Sequence, residues 1–293
     1  MSSLSEKTFS VLNYVFLAIL GILCFYPFYF IIVYSFSDPK AVLSSPGYLF
    51  PKGFTLVNYE TIFTQNDVLR PFFVSVARTV SGTALTLIGC AMFAYGLTKK
   101  DTPMRKFMYV VLVFTMYISA GLIPGYLLIK ELHMLNTFWV YIIPGMINAF
   151  FLILIKTFFE QLPAELEEAA LIEGAGYFRI FWSLVVPLSK PILATIAIFA
   201  AVGQWNNWMD NLLYNSSQSL LTLQFMLLKF LQTQSYSMKD AAMMAALGNE
   251  AFNITPQSIR MAITVIVIFP VLAVYPFLQR YFVKGIMIGA VKG

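Results

Sequence analysis

Charge is what this chain has least of. Only 11% of its 293 residues are Asp, Glu, Lys or Arg, where soluble domains carry about 25%. With 59% of residues hydrophobic and a mean hydropathy of +0.76, there is too little polar surface to clothe a water-soluble globule. The composition is that of a polytopic membrane protein. Cys24 and Cys90 are the only cysteines. Both fall inside apolar runs without metal-ligand spacing and read as lipid-facing or packed thiols. His133 is the sole histidine, so no second imidazole exists for a metal site. No serine, cysteine or acidic pair makes a catalytic set. No GxxxxGK[ST] phosphate loop occurs, so the chain cannot hydrolyse ATP by that route. The net charge of +5 comes from a few basic residues beside apolar runs. It forms neither a stripe nor an aromatic RNA-binding motif, which argues against nucleic acid. Internal repeats and low-complexity tracts are absent. The first apolar run is too long for a signal-peptide core and reads as a retained span.

What the chain does have is long uncharged runs. Residues Thr8–Ser37, Pro71–Thr98, Phe107–Ile129, Met134–Ile155, Pro191–Met209 and Met261–Gln279 are the expected spans, with Arg78 the only charge inside them. Each is near or above the roughly 20 residues a helix needs to cross a bilayer. A further uncharged stretch, Asn211–Leu228, holds Asn211, Asn215, Ser216, Ser217, Gln218, Ser219, Thr222 and Gln224. It is too polar for lipid and reads as an amphipathic part of a long loop. The expectation is an all-α, polytopic helical bundle of six transmembrane helices, one domain over residues 1–293.

Orientation follows from Lys and Arg in short flanks. Lys99, Lys100, Arg105 and Lys106 follow the second span, and Arg280, Lys284 and Lys292 occupy the tail, 280–293. Both segments belong in the cytoplasm, and with an even number of spans so does the N-terminus. Arg70, Arg78 and Arg260 lie near the opposite side. Two longer segments then face outward, Asp38–Arg70 and Asp210–Arg260, and loops of that length are usually functional. Pro27, Gly121, Pro124, Gly125, Pro144, Gly145, Pro270 and Pro276 interrupt the spans. Such breaks are tolerated where neighbours or a water-filled cavity satisfy the freed backbone groups.

The fifth span ends GQWNNWMDNLLY, bringing together Gln204, Trp205, Asn206, Asn207, Trp208, Asp210, Asn211 and Tyr214. Flat aromatics stack on the apolar CH faces of sugar rings, and amides or carboxylates pair with their hydroxyls. An interfacial tryptophan belt would also place Trp here, but it has no need of Asn206 and Asn207. Arg78 either meets an anionic cargo or pairs with an internal carboxylate or carbonyls.

Between the fourth and fifth spans lies QLPAELEEAALIEGAGYFRIFWSLVVPLSKP, from Gln161 to Pro191. Pro163 can open a short helix. Glu165, Glu167 and Glu168 then sit where the helix dipole favours negative charge. Leu166, Ala169 and Ala170 give a flat face of mostly small residues, and Gly174 and Gly176 stop the helix. Such a helix suits docking on a partner outside the bilayer, although an ordinary acidic connection has a similar composition.

EAALIEG followed by LVVP resembles the EAA loop of ABC importer permeases: E-A-A, three residues, G, nine residues, then I-x-L-P. Glu168, Ala169, Ala170, Gly174 and Pro187 carry the pattern, with Leu184 and Val186 as apolar departures. Over nearly its whole length the chain is similar to the carbohydrate-importer permeases of the MalG-like type, and within them to the LplC-like branch. NTFWVYIIPG, TFFEQLP, PLSKP, GQWNNW and QRYFVKGIMIGAVKG support this. The resemblance implies the type I ABC importer permease fold, with residues 161–187 as the cytoplasmic coupling loop. It also implies that the tail, Gly289, Ala290, Val291, Lys292 and Gly293, reaches the ATPase dimer; Ala290 departs from the family's G-G-V-K-G. The implied setting is the bacterial cell membrane. The implied partners are a second, MalF-like permease, two cytoplasmic ABC ATPase subunits that carry ATP and Mg, and an extracellular solute-binding protein. No cofactor is bound by the chain itself. The implied cargo is an oligosaccharide, with uronate-bearing ones suggested by the branch. An importer permease for amino acids or peptides is the alternative within the class. A secondary transporter is the alternative outside it, but the spans hold no carboxylate for ion coupling.

Overall fold

The computed structural model describes residues 4–39, 49–65, 67–232 and 256–290. Among them there is helix and connecting segment but no strand. They fall into two compact units, one of residues 1–68 with 227–270, the other of residues 69–226 with 271–293.

In the first unit, α1 (Leu4–Ser35) is an apolar helix whose side chains stay exposed until about its last two turns. A helix that is apolar on every face is suited to lipid. Its C-terminal carbonyls lack helical partners, and α2 (Val57–Gln65) supplies them. The buried Asn58 amide donates to the carbonyls of Ser35 and Ser37 at 3.0 and 3.1 Å. Tyr59 and Ser35 share a hydroxyl hydrogen bond of 2.8 Å. Burial raises the Tyr59 phenol above its ordinary pKa against the smaller effect of that bond, so it stays neutral. Phe36 stacks on Phe54 at 5.6 Å.

The second unit is organised by α3 (Leu69–Thr98), which packs most extensively on α6 (Ala149–Phe159) and α9 (Lys190–Asn206). Its buried positions Pro71, Ser75, Arg78, Gly82, Thr86, Cys90, Ala94 and Leu97 recur every three or four residues and are mostly small. Small residues let helices approach closely in a membrane. At Gly82 a Cβ would lie 2.7 Å from the Gln204 side chain, so only glycine lets that amide lie against the helix.

Two expected spans are not continuous helices. The third is split into α4 (Arg105–Tyr117) and α5 (Leu122–Glu131), separated at Gly121, whose φ of +83° suits glycine. The fourth begins as a 3-10 turn, Phe138–Tyr141, and is non-helical through Pro144 and Gly145 until α6 starts after Asn148. The exposed backbone of this break finds local partners. The Cys90 thiol lies 3.7 Å from the carbonyls of Met146 and Asn148 and accepts from the Asn148 amide at 3.4 Å. The Asn148 side chain caps α6 through the Phe151 amide. α7 (Ala164–Ile172) follows, then α8 (Tyr177–Leu188), which contains a π turn at Phe181–Val185. α8 meets α9 at an 83° bend at Ser189, between Pro187 and Pro191. α10 (Met209–Tyr214), a 3-10 turn and α11 (residues 223–232) come next, in place of a seventh span. α12 is Pro256–Ala290. By length and composition, three helices among the described residues can cross a membrane, or four if the bent pair is one span.

Candidate functional site

The acidic loop folds as α7, with Pro163 just ahead of its first residue as N-cap. At its other end the Ala175 amide bonds the Ala170 carbonyl at 3.0 Å and the Gly174 amide bonds that of Leu171 at 3.0 Å. Gly174 sits between them at φ +82°. This is a Schellman termination, which needs a left-handed residue at that position. Open space surrounds Gly174, so a side chain there would meet backbone strain rather than a clash.

No residue of α7 is fully buried. Glu168 and Ala169 are exposed, and Ile172 is 88% exposed. Ala170 packs inward on the core instead, so the expected flat face of Leu166, Ala169 and Ala170 is divided between exposed and core-facing sides. Pro187 is exposed on α8, just before the bend. Glu167 has a role that sequence reasoning missed. Its carboxylate forms an ion pair with Lys99, which lies just beyond α3, and accepts a 3.1 Å hydrogen bond from the Tyr95 hydroxyl. The one available signal was the placement of Lys99 at the end of a span that must border this loop.

A second site lies in the same unit. A cavity of about 450 Å³ is lined by Arg78 and Thr86 of α3, Tyr141 and Asn148 around the fourth-span break, Gln204 and Asn207 at the end of α9, and Asp210 and Tyr214 of α10. Phe151 and Phe199 add apolar faces. Arg78 is 1% exposed and is held on several sides. Its Nε donates to Gln204 at 3.0 Å, and one terminal nitrogen donates to the Asn207 carbonyl and to Asp210, each at 3.0 Å. The other terminal nitrogen pairs with the second oxygen of Asp210. The Tyr141 ring centroid lies 4.8 Å from the guanidinium carbon, within cation–π range. The Tyr141 hydroxyl donates to the Leu220 carbonyl and accepts from Asn215.

Of the six residues expected along a cargo path, Arg78, Asn207 and Asp210 line this cavity, and Trp205, Asn206 and Trp208 do not. Trp205 is buried edge-on to Phe72, at 6.4 Å between ring centroids. Asn206 accepts from Gln224. Tyrosines and phenylalanines, rather than tryptophans, give the cavity its aromatic faces. Tyr141 and Phe151 arrive from the broken fourth span, which looks like plain apolar sequence, Phe199 from α9 and Tyr214 from α10. Of the tail, Gly289 and Ala290 close α12 as helical backbone, and Val291, Lys292 and Gly293 lie outside the described residues. Among the described residues no group of three or more His, Cys, Asp or Glu could hold a metal ion.

The model of the binding-protein-dependent transport system inner membrane components matches residues 86–288. The chain belongs to that family. It is 41% identical to Protein LplC of Bacillus subtilis over 98% of this chain and 96% of that protein. It is 38% identical to the polygalacturonan/rhamnogalacturonan transport system permease protein YtcP of the same organism, over 99% of this chain and 100% of that one. A solved structure of a bacterial ABC transporter involved in the import of the acidic polysaccharide alginate superposes with a TM-score of 0.84. It is 30% identical and covers 96% of this chain and 99% of that one. The fold is therefore the type I importer permease fold, and the chain is an inner-membrane component of an ABC transport system.

The buried Arg78–Asp210 pair generates a stability prediction. Removing one partner of such a pair strands the other charge, at a cost of about 3–5 kcal/mol, while neutralising both avoids that penalty. Arg78→Gln should lower the thermal midpoint of the detergent-solubilised permease markedly. The double variant Arg78→Gln, Asp210→Asn should recover most of the loss. Equal midpoints for the single and double variants would contradict the pairing.

Proposed function

We propose that this permease is half of the membrane pathway of an ATP-driven oligosaccharide importer, and that its cargo includes uronate-bearing chains. The observation that carries the reading is the chemistry of the 450 Å³ cavity. It combines aromatic faces for the CH side of sugar rings, amides and tyrosine hydroxyls for their OH groups, and one guanidinium for a carboxylate. The names of the relatives, for a polygalacturonan/rhamnogalacturonan system and for alginate import, point to the same cargo class. Of the five N–H donors of Arg78, four are engaged. A uronate carboxylate would take the remaining donor or share the guanidinium with Asp210.

In this reading both termini are cytoplasmic, and α7 is the coupling helix that enters a cleft on one of two ABC ATPase subunits. Glu168 and Ala169 face the partner there, Ala170 and Gly174 shape the helix and its end, and Pro187 holds the following bend. The tail from Gly289 to Gly293 reaches the ATPase dimer. A second, MalF-like permease completes the pathway, and an extracellular binding protein delivers the cargo. ATP and Mg stay on the ATPases. ATP closes their dimer, the coupling helix moves as a rigid unit, and the bundle exchanges inward-open for outward-open forms.

Two experiments test this. In proteoliposomes with the complete complex, the double variant Arg78→Gln, Asp210→Asn should lose uptake of an acidic oligosaccharide about tenfold, the worth of one charge-assisted hydrogen bond. Uptake of a neutral chain of equal length should fall less. Equal losses would remove Arg78 from the cargo path. For the coupling helix, Glu168→Lys should abolish co-purification of the ATPase and ATP-driven uptake while the permease still reaches the membrane. Retained ATPase binding would overturn the docking role of Glu168.

A further inference from the structure

Adjacent glutamates on the coupling helix do opposite things. Successive helical residues point about 100° apart. Glu168 is exposed and takes part in none of the ion pairs among the described residues. Glu167 turns inward to Lys99 and Tyr95. The site that receives Glu167 is built rather than incidental. The Lys99 ammonium sits 4.0 Å from the Tyr95 ring centroid and 5.8 Å from that of Tyr177, and it contacts both carboxylate oxygens. The Lys99 and Glu167 side chains are only 19% and 23% exposed. Tyr95 is in turn fixed by Phe159 and Phe181, at centroid distances of 6.5 and 5.4 Å. The backbone that presents Lys99 is held as well, because the Thr102 hydroxyl donates to the Gly96 carbonyl at 2.7 Å.

Lys99 follows the last residue of α3, the helix that carries Arg78. The two cations are 21 residues apart, about 30 Å along a helix rising ~1.5 Å per residue. The C-terminal end of this rod is therefore tied to the coupling helix, and its N-terminal third is tied through Arg78 and Asp210 to the wall of the cavity.

Resting on the importer reading above, we infer that Lys99, Glu167 and Tyr95 form a strut that makes α7 and α3 one mechanical body. Displacement of the coupling helix by the ATPase reaches Arg78 at the cavity through this strut. Lys99 is thus a positioning residue for transport. It touches neither cargo nor ATPase, and it sets how much of each ATPase stroke arrives at the cavity. Without it, α7 keeps the Tyr95–Glu167 hydrogen bond, the inward packing of Ala170 and the loops on either side, but loses the ion pair.

The test is uptake and ATP hydrolysis measured in the same proteoliposomes, with the complete complex. Wild type is compared with Lys99→Ala, Lys99→Arg and the exchanged pair Lys99→Glu with Glu167→Lys. Lys99→Ala should hydrolyse ATP near the wild-type rate while cargo moved per ATP falls about three- to fivefold, the effect of losing a partly shielded ion pair. Lys99→Arg should keep the ratio, and the exchanged pair should recover part of it. A merely structural lysine would lower uptake and hydrolysis together, and that result overturns the strut. An unchanged ratio in Lys99→Ala also overturns it, and it does so without touching the importer reading. Failure of the wild-type complex to take up cargo with ATP overturns the importer reading and the strut with it.

Discussion

A single buried arginine constrains much of the second unit. Arg78 stands on a helix long and apolar enough to cross a membrane, and a guanidinium cannot remain there without partners. Its partners come from one short stretch, Gln204 to Asp210, and from the face of Tyr141. Satisfying one charge therefore fixes where α9 ends, how α10 is placed and where the interrupted fourth span passes. Gly82 belongs to the same constraint, since the Gln204 side chain reaches Arg78 by lying where a larger residue would put its Cβ.

The same logic explains where backbone irregularity is allowed. In lipid, unpaired amides and carbonyls cost several kcal/mol each, so non-helical segments survive only where protein or water supplies partners. The break before α6 meets that demand through the Cys90 thiol and the Asn148 cap, and it borders the cavity. Nearby, the Asn136 side-chain oxygen accepts from both the amide and the hydroxyl of Ser216, and the side-chain oxygen of buried Asn211 accepts from the amide and hydroxyl of Thr222. The polar residues that make Asn211–Leu228 unfit as a span are the ones that stitch this irregular region together.

Much of this was readable in the sequence. Scarcity of charge and long apolar runs specify a membrane helical bundle, and the first, second and fifth runs are helices within a few residues of the expected limits, while the sixth lies inside the longer helix α12. Gly174 was legible because the helix stop calls for a residue at positive φ, and it is one. The third and fourth spans were not legible as broken helices. Gly121, Pro144 and Gly145 mark possible breaks, but whether a break forms depends on a partner such as Cys90, which lies more than 50 residues away in the chain. Two of the cavity aromatics, Tyr141 and Phe151, escaped notice for a related reason, whereas Tyr214 belongs to the cluster already apparent at the end of the fifth span. Trp205 sits in a conspicuous motif yet turns to Phe72, whereas Tyr141 and Phe151 sit in unremarkable apolar sequence and turn to the cavity. Glu167 and Glu168 carry identical chemistry in the sequence, and only the packing of α7 against the end of α3 separates them.

The central claim is that α7, proposed as the coupling helix, and α3 move as one body. The direct measurement is a distance by electron spin resonance between labels at the exposed positions Ile172 on α7 and Val80 on α3. The labels would be placed in the complete complex with Cys24 and Cys90 replaced, and the distance compared without nucleotide and with ATP trapped. The account predicts the same narrow distance distribution in both states. A shift or broadening of that distribution on trapping ATP, with the complex otherwise active, would contradict it.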